Sequence, residues 1–171
     1  EFVELVLTAL SSYPVYYNRM AAINRKGPPL LGELPQLAPL TAQQVHQRLQ
    51  GGTLLVDLRN AEAFGHGHVP GAYAVPLQDS FGTWVGWVVP WGSELTFLNG
   101  DPVHHDTVVR QLIRIGYDNF SGYLEGGIEA WEAAGYPVAA VSSISVEELK
   151  PLLESDDPLL FLDVRQRADG I

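Results

Sequence analysis

Residues 53–58, Thr-Leu-Leu-Val-Asp-Leu, form an almost unbroken apolar run set between Gly51-Gly52 and Arg59-Asn60. A short run of branched residues bounded by turn formers reads as a strand buried on both faces. Three further segments read as strands: 72–77 (Ala-Tyr-Ala-Val-Pro-Leu), 94–98 (Glu-Leu-Thr-Phe-Leu) and 120–124 (Phe-Ser-Gly-Tyr-Leu). Helical patterns separate them. Thr41 caps a helix reaching about residue 50, with Val45 and Leu49 four apart. Residues 62–65 give a helical turn, and 128–134 a helix ended by Gly135. Residues 104–116 give a helix with Val108, Leu112 and Ile115 on one face. Strands alternating with helices imply a parallel sheet with right-handed crossovers, so the predicted fold class is α/β.

Two helices are predicted ahead of this region, over 2–10 and 15–26, with Pro14 between them. Phe2, Val3, Leu5, Val6, Ala9 and Leu10 give the first a broad apolar face, which needs something to pack on because so short a helix is marginal alone. The second carries basic residues in its last turn and Gly27 as its stop. Pro28, Pro29, Pro35 and Pro39 make 28–40 a semi-rigid linker whose leucines can still press onto a surface. The chain starts at Glu1, already inside an apolar pattern, and is expected to be a segment of a longer protein.

A repeat is also visible. Residues 41–59 and 145–165 each read as a capped helix, a turn, a buried strand and then Asp-x-Arg, with Asp57 and Arg59 matched by Asp163 and Arg165. The second copy is expected to be the start of a second domain, reaching about a quarter of the way into it by Ile171. Its apolar run 159–164 then has no sheet, and is expected to fray, pair with another copy or dock on the first domain.

Charge and composition exclude several functions. The net charge is −10 and the lysines are Lys26 and Lys150, so phosphate backbones are repelled and nucleic acid is not an expected partner. There is no cysteine, which removes disulfides, thiolate metal sites and thiol catalysis together. No apolar run approaches the roughly 20 residues of a membrane span. Residues 2–10 lack the basic leader and cleavage site of a signal peptide.

Residues 96–109, Thr-Phe-Leu-Asn-Gly-Asp-Pro-Val-His-His-Asp-Thr-Val-Val, are where chemistry is expected. A strand ends in a small-residue loop, and Asp101 and Pro102 open a helix. Such a turn suits a nucleophile or an anion, yet no nucleophile stands in it.

The surrounding motifs resemble a known family. Residues 56–76, VDLRNAEAFGHGHVPGAYAVP, resemble the Asp-x-Arg, Glu-x-Phe and Gly-His-Ile-Pro-Gly-Ala stretch of rhodanese-like domains. Residues 122–138, GYLEGGIEAWEAAGYPV, resemble that family's closing segment, with Gly126-Gly127, Trp131 and Gly-x-Pro-Val. Residues 13–35 resemble the C-terminal tail of a metallo-β-lactamase-fold domain, of the kind followed by rhodanese modules in glyoxalase-II-like hydrolases and persulfide dioxygenases. These resemblances imply a three-layer rhodanese-like fold, a parallel sheet flanked by helices, preceded by two helices and the Pro-rich linker. They imply a helical tail at 1–27, the linker at 28–40, an inactive rhodanese-like domain at 41–140 and a truncated second one at 144–171.

Rhodaneses carry sulfane sulfur on a cysteine in a Cys-x-x-Gly-x-Arg loop. Here that loop is Asn99, Gly100, Asp101, Pro102, Val103 and His104. Asn99 stands at the cysteine, Pro102 at the glycine and His104 at the arginine. Asn99 cannot attack sulfur, Asp101 adds negative charge where an anion would sit, and Pro102 removes a backbone donor. No catalytic residue is therefore assigned, and this segment is expected to be a silent scaffold or docking module. Two alternatives are a small-anion or persulfide-binding module, and sulfurtransferase activity confined to the second rhodanese domain. The implied partners are the upstream metallo-β-lactamase-fold domain and the downstream rhodanese domain, with homodimerisation also open. The resemblance implies zinc or iron in the upstream domain, none in this segment, and a cytoplasmic location.

The remaining polar motifs have plainer readings. Asp57 and Arg59 read as a strand-end ion pair. His66, His68, His104 and His105 could in principle hold a metal, but His68 is accounted for by the turn that contains Pro70 and Gly71, and no carboxylate has a ligand spacing. Gly126-Gly127 reads as a tight turn into a helix. Trp84, Trp87 and Trp91 are spaced to share one helical face, where they either cover the sheet or form an exposed docking patch.

Overall fold

The computed structural model describes residues 3, 13–27, 30–98, 102–155, 158–160 and 162. The chain divides into two compact units, Glu1–Val141 and Ser142–Ile171. Among the described residues no helix is long and apolar enough to cross a membrane.

In the first unit, helix α1 is Tyr17–Lys26. It starts two residues later than predicted, because a turn closed by the Tyr17 N–H on the Pro14 carbonyl comes first. Gly27 ends it with a positive φ of 84°, donating its N–H to Ile23 O at 2.9 Å. The helix predicted over 2–10 lies outside the described residues apart from Val3. The linker is not linker throughout. Its last residues, Pro39–Leu40, form strand β1, which pairs with Tyr123 and Leu124. Leu37 is buried and Leu34 packs beside it.

Helix α2, Ala42–Gln50, starts at a complete capping box: Thr41 Oγ1 accepts the Gln44 N–H, and the Gln44 side chain accepts the Thr41 N–H. Strand β2 is Leu54–Asp57 and helix α3 is Ala61–His66, capped by Asn60. Strand β3 spans only Tyr73–Ala74, shorter than the predicted 72–77. Pro76 has no N–H to continue a ladder. The chain still follows β2, since the N–H groups of Val75 and Leu77 reach Asp57 O and Leu58 O at 3.0 Å. Next come helix α4 (Phe81–Val88), strand β4 (Leu95–Leu98), a 3₁₀ turn at Pro102–His104, helix α5 (His105–Ile113), strand β5 (Phe120–Leu124) and helix α6 (Gly127–Ala133).

The five strands are all parallel, in the order β1-β5-β4-β2-β3. Side chains alternate across the sheet and build two cores. One face carries Val56, Leu95 and Phe97 against Phe81 and Val85 of α4 and Val108 and Leu112 of α5. The other carries Leu55, Leu98 and Leu124 against Val45 of α2 and Ile128 and Trp131 of α6. The fold is α/β with a parallel sheet between two helical layers.

In the second unit, helix α7 is Val146–Leu153. Its capping box, Ser145 with Glu148, repeats that of Thr41 with Gln44. Of the predicted strand 159–164, Leu159, Leu160 and Leu162 are described and lie in no strand. Asp163 and Arg165 fall outside the described residues.

Candidate functional site at the carboxyl edge of the sheet

Because the strands are parallel, their carboxyl ends share one edge, where open α/β sheets bind ligands. Strand β4 is central, so its exit lies between those of β2 and β5. After Leu98 the chain passes through Asn99, Gly100 and Asp101, which lie outside the described residues. It re-emerges in the 3₁₀ turn Pro102–His104, with Val103 78 % exposed, and enters α5 at His105. The predicted helix 104–116 is thus a 3₁₀ turn followed by a shorter α-helix.

The β2 exit holds Asp57, fully buried, against Arg59. Arg59 Nη2 lies 2.6 Å from Asp57 Oδ2, and Nε lies 2.9 Å from Oδ1. The Arg59 backbone N–H donates to Oδ1 as well, at 3.0 Å. Nη2 also donates to the Gly67 carbonyl at 2.7 Å. The hydrogen bond to Asp57 holds the Arg59 proton more tightly than usual, against burial, with the charges of Asp57, Glu129 and Glu132 adding to the effect. Arg59 therefore ties β2 to the loop after α3. The Gly67 carbonyl and the two glutamates were not singled out from sequence, although Glu129 and Glu132 sit three apart on a predicted helix.

Around that loop, His68 and Ala139 exchange two backbone hydrogen bonds, at 2.8 and 2.9 Å. The His68 ring stacks on Phe64 with centroids 3.9 Å apart, and Nδ1 lies 2.9 Å from Phe64 O. Pro70 and Gly71 are the middle residues of a turn closed by Ala72 N–H on Val69 O, with Gly71 at φ 82°. That positive φ fits the glycine position of a type II turn.

The β5 exit leads through Gly126 (φ 74°) and Gly127 (φ 64°) into α6. Trp131 is buried beneath, its Nε1 donating to Pro137 O at 2.9 Å and its ring packed by Tyr136 and His46.

The histidines are not brought together. His66 Nδ1 lies 2.8 Å from Glu62 O, and the His105 ring lies against Tyr123. Among the described residues no three of His, Cys, Asp or Glu are placed to hold a metal. The tryptophans do not share one helix. Val89 turns extended before Pro90, so α4 stops and Trp91 lies beyond it. Trp84, Trp87 and Trp91 are 51, 37 and 47 % exposed, so they form a surface feature rather than a cover for the sheet. The Arg19 guanidinium caps Trp91, 4.2 Å from the ring centroid.

No curated protein matches the chain. Among solved structures, the Alr3790 protein from Anabaena sp. is 22% identical, with a TM-score of 0.53 over 67% of this chain and 91% of that one. The solution structure of a rhodanese-like domain of the same Anabaena protein is 18% identical, with a TM-score of 0.51 over 80% of this chain and 96% of that one. Likeness at those identities is likeness of fold. A metallo-beta-lactamase from Staphylococcus aureus subsp. aureus COL is 26% identical, with a TM-score of 0.57 over 72% of this chain. The match spans only 34% of that protein's length. The family model described as Rhodanese-like domain matches residues 41–134, more than half of the chain. Its parallel sheet, its motif residues and this match together place the chain in the rhodanese-like domain family.

Proposed function

We propose that this chain is a non-catalytic rhodanese-like module, a scaffold or docking domain within a larger metallo-β-lactamase-fold protein of hydrolytic or sulfur metabolism. One observation carries the reading: the 171 residues include no cysteine, and Asn99 stands where the family's sulfur carrier belongs. An amide cannot hold sulfane sulfur as a thiolate does. The multidomain setting is supported by the Staphylococcus protein, a third of which aligns with most of this chain. The docking role is supported by the half-exposed Trp84, Trp87 and Trp91, since large aromatics serve as interface anchors. Zinc or iron would belong to the metallo-β-lactamase-fold domain rather than to side chains here. A cytoplasmic location and homodimerisation belong to the same proposal.

The test is thiosulfate-to-cyanide sulfur transfer by this chain and by its Asn99→Cys variant. The expected result is no turnover by the native chain and measurable turnover by the variant. Turnover by the native chain would overturn the reading. Silence of both would point to a loop that has also lost the shape to hold an anion. A second reading, small-anion or persulfide binding at the same loop, draws support from the position of the 3₁₀ turn Pro102–His104 at the start of α5, beyond the exit of the central strand β4. Thiosulfate titration followed at the amides of 100–104 separates the two readings.

A further inference from the structure

Between α4 and α5 lies an open cleft of about 510 Å³. Its walls are held together by Gln111. The Gln111 side chain accepts the Gly82 N–H and donates to Gln78 O, each at 3.0 Å. Gly82 permits this approach, since a Cβ there would lie 3.0 Å from Gln111 O. Through these two bonds Gln111 braces the cleft that it also lines.

Arg110, on α5, and Arg114, the residue just past its end, line the cleft four positions apart. Like charges at that spacing destabilise a helix by a few tenths of a kcal/mol. Yet neither arginine forms an ion pair or hydrogen bond through its side chain among the described residues. Asp106, one turn before Arg110, forms no ion pair with it. In a chain of net charge −10 with ten basic residues, two exposed guanidiniums with no ion pair among the described residues line one open cleft and make it locally positive. Thr83 and Thr107 add hydroxyls, and Asp79 adds a carboxylate that pairs with neither arginine.

We propose that this cleft binds a small protonated oxyanion of the hydrogen phosphate class. The guanidinium forks supply donors to the charged oxygens. The Asp79 carboxylate can only accept, so it favours a ligand that also carries an O–H over a fully deprotonated one such as sulfate. The site is independent of the pseudo-active loop and of whether that loop binds anything.

The test is an amide NMR titration of the chain with inorganic phosphate and, separately, sodium sulfate at constant ionic strength. Saturable shifts are expected at Thr83, Thr107 and Gln111. Phosphate should bind about threefold more tightly than sulfate, because only hydrogen phosphate has an O–H to donate to the exposed Asp79 carboxylate. Arg110→Gln and Arg114→Gln should each weaken phosphate about tenfold, and Arg48→Gln, at a remote ion pair with Glu94, should not. Asp79→Asn should bring the two anions to similar affinity. No saturable shift up to roughly 10 mM, the range of a weak but specific site, would overturn the proposal. So would shifts confined to 99–104, indifference to both arginine substitutions, or equal binding of sulfate by the native chain.

Discussion

Replacing Arg59 by Met keeps the aliphatic stem and removes the guanidinium. It deletes the contacts from Nε and Nη2 to Asp57 and the 2.7 Å bond to Gly67 O. Asp57, fully buried, keeps only the Arg59 backbone N–H at 3.0 Å. Stranding one member of a buried pair costs about 3–5 kcal/mol. The Arg59 side chain is itself 17% exposed, which favours the lower end, about 3 kcal/mol. With a urea m-value of about 2 kcal/mol/M, the midpoint should fall by about 1.5 M at unchanged slope. Asp57→Asn combined with Arg59→Met should cost less than the sum of the single changes by at least about 1.5 kcal/mol. Hydrogen exchange should quicken at His68 and Val69 before the sheet opens, because the Gly67 tether is gone. A single variant within about 0.5 kcal/mol of the native chain, or strict additivity in the cycle, would refute the view that this pair fastens β2 to the loop after α3.

Three further outcomes are expected. Gly86→Ala should destabilise the first unit by about 1–3 kcal/mol, because a Cβ there collides with the buried Tyr16 ring; faster proteolysis within 13–27 reports the loss, and Tyr16→Leu in the same chain should relieve it. Hydrogen bonds from Ser145 lower the Glu148 pKa, so its share of the α7 cap is present above the ordinary glutamate value and fades as pH falls through the folded one. An acid titration should therefore shift the Ser145 amide and leave Thr41 still, since Gln44 does not ionise; equal responses would contradict this. Burial raises the Tyr117 pKa, and Tyr16 shifts the same way, so stability holds below the ordinary tyrosine value and declines as pH rises through the folded ones. Tyr117→Phe should lose about 1 kcal/mol at neutral pH with the bond to Val89 O, yet flatten the alkaline decline.

Strands β2 and β4 were legible because central strands of a parallel sheet bury both faces and read as apolar runs, and β5 from its aromatic and leucine residues between turn formers. Strand β1 was not, because two residues that include a proline carry no period. The extent of β3 was overread, since composition cannot say where pairing gives way to single hydrogen bonds beyond Ala74. The tryptophan spacing suggested one helix, but the residue before Pro90 turned extended and separated Trp91 from α4. At the candidate site, Asp57 and Arg59 were readable as neighbours. The third participant, the Gly67 carbonyl, was not, because a backbone acceptor leaves no mark in a side-chain pattern. Likewise the α4–α5 cleft depends on two helices meeting at Gly82 and Gln111, a contact that no local pattern encodes.

The two residues of β1 also fix where this fold can be cut. The family pattern begins at Thr41, but β5 leans on what comes just before it: Tyr123 N–H ends on Ala38 O and Glu125 N–H on Leu40 O. A fragment trimmed to the pattern would leave those donors bare on an open parallel edge and remove Leu34 and Leu37 from the core. That edge would be a template for a foreign strand. In the intact chain, Ala38 and Leu40 turn their carbonyls inward, so Pro39 presents its backbone outward with no N–H to offer. The segment that looked like a spacer is thus the sheet's last rung and its stop against further growth.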